Sequence, residues 1–214
     1  MIGILNYGVG NLQSVYNAFT YLGEEVFFIN APADFDKAKA IIIPGVGHFK
    51  KGIANIIKQG FLDPLNLYVK EKKLPCLGIC LGMQLMAEIG FEGGENRGLG
   101  WLPATVERID SNTEAFHLRI PHVGWNEIII TKPDSPLFKD MRRPSFYFVH
   151  SYFVNFRNNE DRQEYLSSYT SYGREITASF ERENIFAVQF HPEKSQIDGM
   201  KLLKNYLEWI KRNG

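Results

Sequence analysis

The chain has 214 residues, of which 44% are hydrophobic and 22% charged, a balance that suits one buried core and argues against disorder. Its 24 basic and 24 acidic side chains cancel, so no long-range field draws in nucleic acid or an anionic membrane. No apolar run approaches the roughly 20 residues of a membrane span, and Met1 to Gly8 lacks the basic start and cleavage site of a signal peptide, so neither a membrane nor export is expected.

In chain order, Ile2 to Asn6 reads as a core strand. An amphipathic helix follows from Asn11, with Leu12, Val15, Phe19 and Leu22 at helical spacing and Gly23 as its stop. Glu25–Ile29 and the wholly apolar Ala40–Ile43 are the next strands, and Pro44-Gly45-Val46-Gly47 breaks the second sharply. A helix runs from His48 to Gly60, with Phe49, Ile53, Ile56 and Ile57 inward, and Pro64 to Lys72 reads as a short one. Pro75–Ile79 is the fourth strand, and Cys80–Ile89 is predicted to be a helix packed against its end.

Strands and helices alternating at this spacing mean βαβ units: an α/β fold, mostly parallel and flavodoxin-like, with helices on both faces of the sheet. The second half changes character. Ala104–Ile109, His122–Ile130, Ser145–Val149, Glu164–Tyr169, Ile176–Phe180 and Ile185–Phe190 read as strands joined mostly by turns, which predicts an antiparallel extension of the sheet. Ile197–Ile210 returns to helical period. No repeat or linker divides the chain, so residues 1–214 are expected to form a single domain.

The two cysteines, Cys76 and Cys80, cannot build a disulfide framework, and they suit a reducing compartment, the cytoplasm by default. Gly78-Ile79-Cys80-Leu81-Gly82 has the form G-x-C-x-G between a strand and a helix, a nucleophile elbow with Cys in place of Ser. The sharp turn needs glycines two residues either side of the nucleophile. The helix start aims N–H groups at the sulfur, and the Leu81 N–H would face a tetrahedral oxyanion. Cys76, inside the strand, reads as packing. A plain buried Cys between close-packing glycines is the alternative for Cys80.

A thiol nucleophile needs a base held by a third group. Of His48, His117, His122, His150 and His191, the last has the setting. It closes a strand whose end a parallel sheet would place beside Cys80, and Glu193 stands two residues on to fix its tautomer. A metal is not expected: His191-x-Glu193 has no P-C-x-x-C after it, and Cys76-x3-Cys80 has no second thiol pair. Gly8-Val9-Gly10 lacks the third glycine of a dinucleotide fingerprint, and no cofactor is expected.

Gly78-Ile79-Cys80-Leu81-Gly82-Met83-Gln84 and Gln189-Phe190-His191-Pro192-Glu193 resemble the two signatures of the class I (triad) glutamine amidotransferases. Blocks at Asn6–Ser14, Pro44–Gly47, Pro121–Asn126, Tyr147–Tyr152 and His191–Ser195 are similar, in the same order, to the glutaminase subunits of imidazole glycerol phosphate synthase. The resemblance implies that Cys80 attacks the side-chain amide of L-glutamine, that His191 moves the proton and that Glu193 orients His191. It implies that Gln84, Ser151 and Tyr152 hold glutamine, and that Val46 or Gly47 completes the oxyanion hole with Leu81. It implies a heterodimer with a (β/α)8-barrel synthase (cyclase) subunit, which takes the ammonia to make imidazole glycerol phosphate and AICAR in histidine biosynthesis. Tyr7, Asn11, Trp125, Asn126, Tyr147 and Lys194 match its docking face, although Trp and Tyr in strands are also ordinary core residues.

Three stretches depart from the usual subunit: Ala87–Asn96, Leu99–Pro103 and His117–Ile120. They leave open a paralogue that supplies ammonia for amidination of a surface-polysaccharide sugar. From another class, a thiol hydrolase on the same fold stays open.

Overall fold

In the strands Ile2–Leu5, Ala40–Ile43 and Cys76–Ile79 every side chain is buried, and alternate residues go to opposite faces. The structure, a computed structural model, describes residues 1–111 and 118–213. The first half forms β1 (Ile2–Leu5), α1 (Leu12–Tyr21), β2 (Val26–Ile29), β3 (Ala40–Ile43), α2 (Phe49–Lys58), α3 (Leu62–Leu65), β4 (Cys76–Ile79), α4 (Leu81–Leu85), β5 (Ala87–Gly90) and β6 (Asn96–Arg97). Ile41 and Ile43 pack with Phe49 and Ile56 of α2 on one face. Ile4, Ile42, Leu77 and Ile79 pack on the other with Val15 and Phe19 of α1. This two-sided burial is what a parallel sheet between helix layers requires.

The second half forms β7 (Leu102–Arg108), β8 (His122–Glu127), β9 (Ile129–Ile130), β10 (Ser145–His150), β11 (Tyr152–Phe156), α5 (Asn159–Tyr165), β12 (Leu166–Ser171), β13 (Glu175–Arg182), β14 (Ile185–Val188) and α6 (Gln196–Asn213). The main sheet has eight strands in the order β2-β1-β3-β4-β14-β13-β12-β9. It is parallel from β2 to β14 and antiparallel beyond. The α/β fold with a mostly parallel sheet is therefore as the sequence implies, with α6 covering the α1 face through Leu203 and Tyr206.

Two expectations need correction. The helix expected over Cys80–Ile89 ends at Leu85, and Ala87–Gly90 is a strand instead. Residues 80 to 87 are all buried, so no face was available to make an amphipathic helix. β5 pairs with β7 and β6, and the Trp101 and Leu102 N–H groups donate to the Met86 carbonyl at 2.9 and 3.0 Å. The antiparallel extension of the main sheet is formed by β13, β12 and β9. β11-β7-β5-β6 form a second sheet and β8 with β10 a separate ribbon. The single strand expected over His122–Ile130 is split between that ribbon and the main-sheet edge. His117 lies outside the described residues. Among the described residues no helix is long and apolar enough to cross a membrane.

Candidate active site

Cys80 stands at the carboxyl end of β4 with φ +53° and ψ −106°, a left-handed conformation that a side chain adopts at a cost. The flanking glycines make that bend possible. A Cβ on Gly82 would lie 1.7 Å from the Ile43 carbonyl oxygen, and one on Gly78 would lie 2.9 Å from the Met83 nitrogen. The elbow is thus tied between β3 and its own helix, and the Cys80 N–H donates to the Val188 carbonyl at 2.8 Å. With α4 only five residues long, the dipole expected of a longer helix shrinks.

β4 and β14 run parallel with Ile79 opposite Val188, so their continuations bring Cys80 beside Gln189 and His191. His191 is buried, and its Nδ1 hydrogen-bonds the Glu193 carboxylate at 2.8 Å. Its Nε2 is buried and has no partner by standard hydrogen-bond geometry. Burial opposes a charged ring there. The negative charge of the Cys80 sulfur and the Glu193 carboxylate outweigh it and raise the imidazole to about 10. His191 is held further by its N–H on the Tyr147 carbonyl at 2.9 Å and by Ser195 Oγ, which donates to its carbonyl at 2.6 Å.

A small cavity of about 210 Å³ opens over the sulfur. It is lined by Val46, Gly47, Leu81 and Gln84 and by Val149 to Tyr152. That is below the ~300–1,000 Å³ of pockets for drug-sized ligands, so its occupant is small. A larger groove, lined by Ile2, Leu74, Pro75 and Leu207, lies at the amino ends of the strands. Ligands of such sheets bind at the carboxyl ends, where Cys80 is.

The structure brings together Cys80, His191, Glu193, Val46, Gly47, Leu81, Gln84, Ser151 and Tyr152. Two of these differ in detail from their expected roles. The Leu81 N–H donates to the Gly45 carbonyl at 3.2 Å, so it is not open to an oxyanion. Gln84 Nε2 donates to the Tyr152 carbonyl at 2.8 Å and to Gln189 Oε1 at 3.0 Å, which leaves its Oε1 as the atom that can meet a ligand.

Sequence reasoning passed over several residues beside the thiol or the cavity, Gln189, Glu92 and His150 among them. Gln189 is fully buried, and its Nε2 donates to the Cys80 sulfur at 3.6 Å. Strand alternation puts it on the same face as His191, which is a signal that was there to read. Glu92 lines the cavity, with its carboxylate held by the Phe49 N–H at 2.7 Å. A contact between residues this far apart along the chain has no local signature.

Of the residues matched to a docking face, Trp125 is 47% exposed and pairs in register with the half-buried Tyr147, ring centroids 6.1 Å apart. Asn126 is half-buried, and Asn11 and Lys194 are exposed. Tyr7 is different: it is fully buried and donates its hydroxyl to the Pro44 carbonyl at 2.6 Å, so in the free chain it props the turn rather than facing outward. Among the described residues no group of three or more His, Cys, Asp or Glu is arranged to hold a metal.

Residues 4–209 match the family model described as glutamine amidotransferase class-I. The chain is 44% identical to an imidazole glycerol phosphate synthase subunit HisH 1 of Campylobacter jejuni, over 96% of this chain and 98% of that one. It is 43% identical to the HisH subunit of that synthase from Caldanaerobacter subterraneus, over 99% of both. In fold it is similar to the structure of PurLQS from Thermotoga maritima, with a TM-score of 0.73, 17% identity and 98% of both chains covered.

Proposed function

The chain belongs to the class I glutamine amidotransferases, in the branch of the HisH subunits of imidazole glycerol phosphate synthase, and from that premise we propose how its residues work. It acts as the glutaminase subunit of that synthase, in histidine biosynthesis. Both relatives carry the synthase's name, which favours this acceptor over a surface sugar. The observation that carries the mechanism is the His191–Glu193 pair beside a thiol on a strained elbow.

With His191 charged and the sulfur as thiolate, Cys80 adds to the carboxamide carbon of glutamine. The C–N bond then breaks as His191 gives its proton to the leaving nitrogen, releasing ammonia and leaving a glutamyl thioester. His191, now neutral, takes a proton from water as that water attacks the thioester. Glutamate leaves and the thiolate–imidazolium pair is restored. Glu193 keeps Nδ1 protonated so that Nε2 does the transfer. The Glu92 carboxylate suits the substrate's α-ammonium. Gln84 and the wall at Ser151 and Tyr152 close round the rest.

The oxyanion site is where the free chain is unready. The Gly45 carbonyl occupies the Leu81 N–H, where a donor pair is needed. A turn of the Gly45–Val46 peptide would withdraw that oxygen and present the Val46 N–H beside that of Leu81. Gly47, at φ +140°, gives the segment freedom to turn. A closed hole spares glutamine until the acceptor is in place.

The docking face is the outer surface of the β8–β10 ribbon with Asn11 and Lys194, and the partner is a (β/α)8-barrel synthase subunit. The cytoplasm suits a biosynthetic enzyme with free thiols. The test is Cys80→Ser in the complex. It abolishes glutamine-dependent synthesis and leaves ammonia-dependent synthesis intact. Loss of both in a folded variant, or persistence of both, would remove Cys80 from the reaction.

A further inference from the structure

Two buried histidines outside the triad lie in one line of hydrogen bonds. His150 Nδ1 is 2.8 Å from the Tyr152 carbonyl, and its Nε2 is 3.0 Å from His122 Nδ1. His122 Nε2 is 3.0 Å from Asn126 Oδ1, and Asn126 Nδ2 donates to the Ser171 carbonyl at 3.2 Å. The His122 ring is stacked between Phe148 and Tyr172, centroids 5.1 and 3.9 Å away, so it cannot swing out of line without breaking both stacks.

Donor counting fixes the direction of this line. A carbonyl only accepts, so His150 must carry its proton on Nδ1 to bond Tyr152. Its Nε2 is then bare and takes the Nδ1 proton of His122, which leaves His122 Nε2 bare. Burial keeps both rings neutral, holding His150 down at about 3 and His122 below its ordinary value. A bare Nε2 needs a donor from Asn126, yet the Ser171 carbonyl needs that same amide nitrogen. With carbonyls at both ends, a neutral pair always has one acceptor facing another. The interior cannot tolerate that mismatch, so it settles at the half-buried Asn126 end.

The other end of the line reaches the thiol. The Tyr152 carbonyl accepts from both His150 and Gln84, Gln84 donates on to Gln189, and Gln189 donates to Cys80. We propose that His122 and His150 are positioning residues of the glutamine pocket, transmitting hydrogen-bond direction from Asn126 on the docking ribbon to the Tyr152 carbonyl that holds Gln84. A partner group that donates at Asn126 or Ser171 removes the mismatch and locks the line. This rests on the glutaminase reading above.

The test uses the full chain in complex with the synthase subunit. Nitrogen-15 spectra of the histidines should show His150 protonated on Nδ1 and bare on Nε2. His150→Leu should raise KM for glutamine about tenfold or more, with kcat changed much less, as expected for a lost buried hydrogen bond in the pocket wall. His150→Asn places an amide N–H near the Nδ1 position and should recover most of that loss. A His150 protonated on Nε2, or a KM unmoved by His150→Leu, overturns the proposal. So does failure of His150→Asn to recover anything while folded. Glutamine turnover by the unmutated complex, absent in Cys80→Ser, is read in the same assay, so failure of the glutaminase reading shows separately.

Discussion

The elbow at Cys80 and the β8–β10 ribbon are close neighbours built on opposite terms. Every residue from Cys76 to Ala87 is buried, and a single added carbon at Gly82 would meet the Ile43 carbonyl. The ribbon has two strands, with Val123 at 54% and Trp125 at 47% exposure on one side and His122, Phe146, Phe148 and His150 packed on the other. One region is fixed by its own chain. The other is half finished, with an apolar face that a partner would cover. On the function proposed above, the chemistry would sit on the rigid region and its control by a partner on the unfinished one.

The comparison breaks most sharply at the triad. Glu193→Gln removes the charge that steadies the His191 imidazolium and lets the wrong tautomer form. It should lower kcat for glutamine by about a thousandfold or more, with synthesis from ammonia unchanged. A milder loss would mean that His191 is oriented mainly by its backbone and Ser195 contacts. Next comes the elbow itself. Gly82→Ala forces the Ile43 strand away and should cost about 3 kcal/mol or more in a denaturant titration. A near-neutral result would show the elbow to be softer than its contacts indicate.

The ribbon should respond the other way. Trp125→Ala removes a half-exposed ring and should change stability by less than about 1 kcal/mol, yet weaken partner binding by about tenfold or more. Titration calorimetry with the synthase subunit measures the second effect. Unchanged affinity would move the docking face elsewhere.

How legible each region was follows from the same contrast. That Cys80, His191 and Glu193 would lie together could be read because an elbow needs specific residue types at fixed spacing, and a parallel sheet brings strand ends together. The early end of α4 was hidden because the run from Leu81 to Ala87 is apolar on every side, which suits a buried helix and a buried strand alike. Gln189 was overlooked beside a more conspicuous neighbour. Glu92 could not be read, since its place depends on a contact with Phe49. The state of Leu81 was equally out of reach: which partner its N–H takes depends on how the Gly45 peptide is turned, and glycine permits more than one answer. Tyr7 matched a docking position by motif, but burial depends on what Pro44 offers its hydroxyl.

The remaining effect concerns acid, and it sets the buried inner side of the ribbon against its outer one. His150 is held neutral, with its pKa lowered to about 3, chiefly by burial and then by the neighbouring imidazoles, against the Tyr152 contact. Unfolding returns it to about 6.5, so below that pH the unfolded chain binds a proton that the folded chain refuses. Its contribution to stability is therefore fully present above about pH 6.5 and falls as the pH drops toward 3, by up to about 1.4 kcal/mol per unit. His150→Asn, which cannot take the proton, should flatten the fall measured by denaturant titration between pH 6.5 and 4.5, whereas Trp125→Ala on the outer side should leave its slope alone. Equal slopes for His150→Asn and the unmutated chain would mean that His150 is protonated in the folded state, and hence that the pair relieves its acceptor mismatch with a proton instead of at Asn126.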